Sequence, residues 1–259
     1  MAVRVRQRPA NASLRARQPG AVRQGVSPNA GRKWSSAKRV CDAVAASVLL
    51  VVLSPLMAVL MLAIKLESSG PALYRSRRVG LRGEEFAMLK FRKMHRDAAG
   101  PPLTARSDDR LTRIGSLLRR TKLDELPQLW NVIRGDMSLV GPRPEDPKFV
   151  ELYQNDYEAV LRVIPGITGL SQLAFARENH ILERPELVGR YADRLLPAKI
   201  EIDTLYAARR SMWMDAKILL WTVVVIVCGV DVAVDRRSGS LSVRRRPAAE
   251  HVGVGWRSA

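Results

Sequence analysis

The sequence predicts an α+β protein that is mostly helical and lies at a membrane. Three observations support this prediction. A run of apolar residues without a single charge extends from Ala43 to Ile64. Two short segments, 72–75 and 85–91, read as strands with glycines between them, and so predict a small β-hairpin element. Segments near 126–133 and 196–230 place apolar residues at helical spacing, the second of them as interfacial amphipathic helices.

The chain begins with a basic arm, residues 1–36, which we expect to be disordered because it shows almost no apolar periodicity. Residues 1–39 carry ten Lys or Arg and no acidic residue, within a chain whose formal net charge is +18. That charge predicts an anionic partner, which can be nucleic acid, acidic lipid or a phosphorylated substrate. The arm either attracts lipid headgroups or is a solvated tail without a role, and composition leaves both open.

The apolar run is expected to form a membrane helix, residues 37–66. As a helix, Ala43 to Ile64 is about 33 Å long, enough to cross a hydrocarbon core. Ser54-Pro55 at its midpoint removes a backbone donor. Both flanks are basic, and basic flanks favour the cytoplasmic side. A re-entrant helix-break-helix that dips in and returns, and a kinked spanning helix, therefore remain two interpretations.

A cytoplasmic domain, residues 67–230, is expected to follow. Its hairpin carries a basic edge at Lys90, Arg92 and Lys93. Residues 111–118 read as a helix that brings Arg119 close to the acidic pair described next.

Asp124 and Glu125 open an apolar helical segment that Gly135 is expected to end. One interpretation is a capping aspartate followed by a first-turn glutamate. The other is a pair that acts on phosphate, as a nucleophile or as ligands of a divalent ion. Arg143, between two prolines, either contacts phosphate or only holds a loop.

The second half of the chain predicts a helix over 148–163, a turn at 165–169, a strand over 170–175 and a charged helical segment over 177–196. Leu196 to Val230 is predicted as interfacial helices, because its apolar run is short for a span and carries Trp213 and Trp221. Whether 218–230 lies on or crosses the membrane stays open. Residues 231–259 are expected to form a disordered basic tail.

The absence of several known motifs excludes several classes of catalytic chemistry. It contains no phosphate-binding glycine loop, no zinc-binding histidine pair and no serine nucleophile motif, and its three histidines do not cluster. An acidic pair among arginines and lysines beside a membrane fits phosphoryl transfer on a lipid-linked substrate.

The segments around these residues resemble a known family. The resemblance rests on Lys38-Arg39, the Ser54-Pro55 break, Leu89-Lys-Phe-Arg92, Leu123 to Pro144, Pro165-Gly-Ile-Thr-Gly169 and the late motifs near Lys199, Asp203 and Tyr206. Together they look like the bacterial sugar transferases, the monotopic polyprenyl-phosphate phosphoglycosyl transferases of the small form.

This resemblance implies a re-entrant membrane helix broken at Ser54 and Pro55, on the cytoplasmic face of the bacterial inner membrane. It implies transfer of a phospho-sugar from a UDP-sugar to polyprenyl phosphate, with Mg²⁺, at the start of exopolysaccharide or glycoconjugate synthesis. Asp124 would be the nucleophile that forms a covalent phospho-sugar intermediate, and Glu125 would help to hold the metal. The substrate-binding candidates would be Arg119, Arg143, Lys90 and Arg92.

Two rival functions predict different sequence features. A membrane-tethered nucleic-acid-binding protein would place basic residues and aromatics along a structured face, whereas here the excess charge lies in the tails, so no nucleic-acid partner is expected. A non-catalytic scaffold of the same fold would carry a damaged acidic pair, and this pair is intact. The expected partners are thus the UDP-sugar, polyprenyl phosphate and membrane lipids, with a homodimer left open.

Overall fold

The computed structural model describes residues 36–100, 103–104, 108–176 and 187–244. The basic arm up to residue 35, the first half of the segment predicted at 177–196 and the end of the chain after 244 lie outside these residues. The described part is mostly helical, as predicted, and it contains three small two-stranded sheets where one small hairpin was expected.

The first element is one long helix, α1 (Ser36–Glu67), which is long and apolar enough to cross a membrane by length and composition. The break expected at Ser54-Pro55 does not interrupt it, since Pro55 lies inside a continuous helix. Ser54 Oγ donates to the carbonyl of Val51 at 2.7 Å in the turn before Pro55. Helical structure therefore continues through Ser54-Pro55, and a proline inside a helix is a position at which helices bend.

Both halves of α1 pack on the same globular body. In the first half, Ala46 is buried against Leu129, Val132 and neighbouring apolar residues. In the second half, Leu60 and Ile64 are buried in a cluster with Phe91. The opposite side of α1 exposes large apolar side chains along its length: Val40, Val44, Val48, Leu49, Val51, Val52, Leu56, Val59, Leu62 and Leu66.

Buried polar groups fix the two ends of α1. Near its start, Lys38 Nζ lies 2.7 Å from Asp215 and 3.2 Å from Asp42, and Ser138 Oγ donates to Asp42 at 2.6 Å. At its end, Glu67 accepts hydrogen bonds from the backbone N–H groups of Arg113 and Ile114, which open the next helix. Each end of α1 is thus anchored to the domain that follows it.

The predicted hairpin is confirmed. Strands β1 (Leu73–Val79) and β2 (Glu85–Phe91) pair antiparallel with Leu73 opposite Phe91, joined through a short 3-10 turn. Helix α2 (Arg113–Thr121) follows, with Thr112 as its N-cap. Its N-terminal turn approaches the chain after β2 so closely that a Cβ on Gly115 would lie 1.9 Å from the carbonyl oxygen of Lys93.

The next helix, α3 (Gln128–Arg134), ends at Gly135 in the left-handed conformation, as predicted. Strand β3 (Ser138–Val140) comes next and pairs in parallel with β4 (Gly166–Thr168), in the segment where we predicted only a turn. The predicted helix over 148–163 is divided into α4 (Pro147–Leu152), α5 (Gln154–Tyr157) and a 3-10 turn at 160–162. The predicted strand over 170–175 is wrong, because these residues form helix α6 (Leu170–Ala174).

The chain then forms α7 (Leu187–Arg190), a π turn and α8 (Leu196–Arg209), followed by α9 (Met212–Cys228). Helix α9 buries Ile218 and exposes Trp213, Leu220, Val223 and Val227, as an interfacial helix would. Residues 231–244, expected within a disordered tail, instead form the hairpin of β5 (Val232–Val234) and β6 (Leu241–Val243). This hairpin packs on the core through Val232, which is buried with Tyr206 and Ile218.

Candidate active site

The acidic pair lies in a 3-10 turn between two helices. Helix α2 ends at Thr121, and its C-cap Lys122 has a φ of 61° in the left-handed region. Residues 123–125 then form the turn that leads into α3. The N-cap of α3 is Pro127, so the expected capping role of Asp124 is not observed. Both carboxylates of this turn line a cavity.

This polar cavity has a volume of about 110 Å³. Asp124 and Glu125 both line it, and so do three of the four substrate-binding residues predicted from the sequence: Lys90, Arg119 and Arg143. Strand β2 supplies Lys90, α2 supplies Arg119, and the Pro-Arg-Pro loop after β3 supplies Arg143. Residues separated by more than fifty positions in sequence therefore meet around one space.

Asp124 is almost entirely buried and has a cation beside it. Its side chain is 4 % exposed, and Lys93 Nζ lies 3.6 Å from its Oδ2 atom. Lys93 lies just after β2, in a segment that packs closely on α2 at Gly115. The sequence analysis placed Lys93 on a basic edge but did not single it out as a site residue.

Glu125 is held by two cations. Arg143 donates a hydrogen bond to its Oε1 atom at 2.7 Å, and Lys90 Nζ lies 3.7 Å from the same oxygen. Burial alone would raise the pKa of Glu125, but the charges of Arg143 and Lys90 outweigh it and hold the pKa well below its usual range. The ionised form of Glu125 is therefore favoured.

The pKa of Lys90 is shifted by its surroundings. Burial, assisted by the charge of Arg143, lowers the pKa of Lys90 to about 7, although Glu125 acts in the opposite direction. A cationic cavity with so much positive charge at close range suits a ligand that carries several negative charges, such as a diphosphate.

Arg92 lies elsewhere. Its guanidinium donates hydrogen bonds at 2.7 Å to the carbonyls of Ser68 and Ser69, and so holds the turn that follows α1. Arg92 does not line the polar cavity. Its position after a strand could not show this, because the bonding partners lie more than twenty residues away.

A further set of hydrogen-bonded polar residues lines the cavity and was also missed. Tyr191 donates a hydrogen bond to Glu145 at 2.5 Å, and Lys199 Nζ lies 3.2 Å from the Tyr191 hydroxyl. All three line the polar cavity. Glu145 is further paired with Arg78 at 3.3 Å. The one available sequence signal was the late motif containing Lys199.

The carboxylates present suit Mg²⁺ only together with a ligand. Within the described ranges, no three His, Cys, Asp or Glu side chains cluster closely enough to form a metal cage. Mg²⁺ is usually bound by one or two carboxylates plus substrate phosphates and water, and the Glu125 carboxylate, which lines the cavity, can supply one such ligand. Glu125 therefore fits a metal that arrives with a phosphorylated substrate.

The chain is similar to known proteins over most of its length. Residues 33–229 match the family model of the bacterial sugar transferases. The chain is 44 % identical over 191 residues to the UDP-glucose:undecaprenyl-phosphate glucose-1-phosphate transferase of Caulobacter vibrioides, covering 72 % of this chain and 68 % of that protein.

Two further relatives match over different shares of their length. A putative undecaprenyl-phosphate N-acetylgalactosaminyl 1-phosphate transferase of Bacillus subtilis is 45 % identical over 138 residues, which cover 52 % of this chain and 73 % of the relative. The UDP-glucose:undecaprenyl-phosphate glucose-1-phosphate transferase of Escherichia coli is 38 % identical over 192 residues, covering 72 % of this chain and only 39 % of the relative. This chain thus spans well under half of that longer protein.

Proposed function

This chain belongs to the bacterial sugar transferase family, and from that membership we propose that it transfers a sugar 1-phosphate from a UDP-sugar to a polyprenyl phosphate. The observation that carries the proposal is the polar cavity, in which the adjacent carboxylates Asp124 and Glu125 meet Lys90, Arg119 and Arg143. The names of the relatives supply the substrate class, with UDP-glucose as the first donor to test.

In the first step, a carboxylate oxygen of Asp124 attacks the phosphorus that bears the sugar. The bond from this phosphorus to the UMP oxygen breaks, UMP leaves, and Asp124 carries the phospho-sugar as an acyl phosphate. Arg119 and Arg143 offset the negative charge that develops on the phosphate oxygens.

In the second step, an oxygen of the polyprenyl phosphate attacks the same phosphorus. The bond to Asp124 breaks, the carboxylate is regenerated, and a sugar-diphosphate-polyprenyl product leaves. A phosphate monoester is largely dianionic near pH 7, so its oxygen needs no general base. Mg²⁺, when bound, would neutralise charge on the diphosphate of the donor, with Glu125 as its protein ligand.

The nucleophile is tested by trapping the intermediate. After incubation with UDP-glucose and Mg²⁺, peptide mass spectrometry should find a hexose-phosphate adduct on the peptide that contains Asp124. We expect Asp124→Asn to abolish the adduct and to reduce turnover by about 10⁴-fold or more, because an amide is a poor nucleophile. Asp156→Asn, an exposed position on α5, should behave as wild type. Full turnover by Asp124→Asn would contradict the mechanism.

We further propose that the domain lies on the cytoplasmic face and that α1 enters and leaves the membrane on that side. Support comes from the anchoring of both ends of α1 to the same body and from the exposed apolar sides of α1 and α9. A helix fixed at both ends to one domain cannot place those ends on opposite sides of a bilayer.

Cysteine labelling tests this topology. Cys41 and Cys228 are both exposed and are first replaced by alanine. Single cysteines are then introduced as Ser36→Cys and Ser69→Cys. Both should react with an impermeant maleimide in inverted membrane vesicles, which expose the cytoplasmic face, and neither should react in intact spheroplasts. Labelling of the two positions from opposite sides would mean a spanning helix.

A further inference from the structure

A second cavity adjoins the polar one and differs from it in character. This apolar groove has a volume of about 250 Å³ and lies between the start of α3, strand β4 with helix α6, and helix α9. Its walls are formed by Leu126, Leu129, Ile167, Leu173, Phe175 and Val225. None of these residues has a place in the sugar-phosphate chemistry described above.

The two cavities share four residues. Lys122, Glu125, Arg143 and Lys199 line both the apolar groove and the polar cavity, and we call these four residues the shared rim. Three of the four are basic, and Glu125 is bonded to Arg143. The groove is therefore apolar along its walls and cationic at the end that meets Asp124.

The other end of the groove reaches the apolar surface of α9. Ile226 lines the groove and is 54 % exposed, and the neighbouring side chains Val223 and Val227 are also apolar and exposed. A hydrogen bond joins two elements of the groove wall: the Thr222 hydroxyl on α9 and the Thr168 hydroxyl on β4 lie 2.7 Å apart. An apolar ligand can thus pass from the membrane-facing surface toward the shared rim without crossing water.

We propose that this groove binds the first isoprene units of the polyprenyl phosphate and presents its phosphate to the shared rim. The charge pattern favours an occupant with one anionic head and one long apolar tail. The limited volume of the groove holds only the part of the chain next to the phosphate, and the rest stays in the bilayer. This inference rests on the proposed function and assigns the acceptor a place distinct from that of the UDP-sugar.

The order of the two steps makes the assignment testable. A groove that serves only the acceptor is needed for the second step and not for adduct formation. Val225→Trp and Ala176→Trp place a large side chain in the groove from two different walls. Val223→Trp makes the same change on the exposed side of α9 and is the matched control.

We expect both groove variants to form the phospho-sugar adduct from UDP-glucose at the wild-type rate. Their KM for undecaprenyl phosphate in nanodiscs should rise by about tenfold or more, while Val223→Trp leaves it unchanged. Normal adduct formation also shows that the variants are folded. An unchanged KM in both groove variants, or adduct formation that falls in parallel, would overturn the assignment. A wild-type protein that forms no adduct would instead refute the proposed function itself.

A photo-reactive acceptor gives an independent readout. An undecaprenyl phosphate analogue with a diazirine on its first isoprene units should label peptides from 166–176 and from α9. Labelling confined to α1 would place the chain elsewhere. A photo-reactive phospholipid that labels the same peptides and resists competition by undecaprenyl phosphate would show a structural lipid in the groove and so contradict the proposal.

Discussion

Asp203 shows how a single buried carboxyl can make stability depend on pH. It lies on α8, is 5 % exposed, and its Oδ1 atom has no hydrogen-bond partner. Burial raises the pKa of Asp203 to about 7, although a hydrogen bond from Ser171 and the charge of Lys199 oppose this. The protonated form is therefore favoured in the folded protein.

The sign of the pH effect on stability follows from the pKa of Asp203 in the unfolded and in the folded state. In the unfolded chain Asp203 loses its proton near its ordinary value of 3.8, whereas in the folded protein it does so near pH 7. The folded state binds more protons between these values, so the stabilisation from this group is complete below pH 3.8 and is lost as the pH rises to about 7.

We expect Asp203→Asn to remove this dependence, because the amide keeps an acceptor for Ser171 and cannot ionise. The Tm of the variant in detergent, relative to wild type, should increase between pH 4 and pH 7 and then level off, with a total change of at most about 4 kcal/mol in the free energy of unfolding. Asp193→Asn, an exposed position nearby, should show no such trend. A constant difference between variant and wild type across this range would contradict the argument.

At the scale of elements, Gly115 fixes the distance between α2 and the chain that carries Lys93. An added Cβ at Gly115 would lie 1.9 Å from the Lys93 carbonyl oxygen, so α2 and this segment must separate to admit it. Lys93 contacts Asp124. A small displacement of a group beside a nucleophile lowers the catalytic rate strongly.

Gly115→Ala should therefore reduce kcat by about tenfold or more and lower the Tm, although residue 115 itself does not line the polar cavity. Steady-state UMP release and thermal unfolding measure the two effects. Gly189→Ala is the matched control, because nothing lies within 4 Å of a Cβ added there. Wild-type kcat in Gly115→Ala would show that the approach of α2 does not position Lys93.

Local patterns predicted some elements and missed others for a physical reason. The β1–β2 hairpin and the helix stop at Gly135 depend on neighbouring residues, and both were predicted correctly. The parallel pairing of β3 with β4 depends on contacts across about thirty residues, so neither short strand stood out. The segment 170–175 looked like a strand because its apolar residues suit either state, and packing beneath α8 and α9 selects a helix.

The site was partly predictable for the same reason. Asp124, Glu125 and Arg143 were recognised because they belong to one long contiguous block. Lys93 and the Glu145–Tyr191–Lys199 chain come from separate elements, and only the tertiary structure brings them together.

At the scale of the whole molecule, Lys38 joins the first helix to the last. Its ammonium is buried between Asp42 and Asp215, and Tyr206 donates a hydrogen bond to Asp215 at 2.7 Å. Removal of the cation would leave two carboxylates buried without it, a cost typical of broken buried ion pairs.

We expect Lys38→Met to destabilise the protein by about 3–5 kcal/mol and to lower its Tm in detergent. Lys65→Met, at an exposed position near the other end of α1, should have little effect. Addition of Asp215→Asn to Lys38→Met should recover part of the loss, because it removes one of the two buried charges. A small effect of Lys38→Met alone would show that these carboxylates are readily solvated.

The pairing of Lys38 with Asp215 also sets an order on biosynthesis. Helix α1 leaves the ribosome first, but the carboxylate that receives its lysine is synthesised about 180 residues later. While the chain between them is being synthesised, nothing from α9 holds the start of α1 in place. The ion pair forms only after α9 has been synthesised. A chain that stops short of Asp215 therefore has an α1 whose Lys38 lacks its partner on α9.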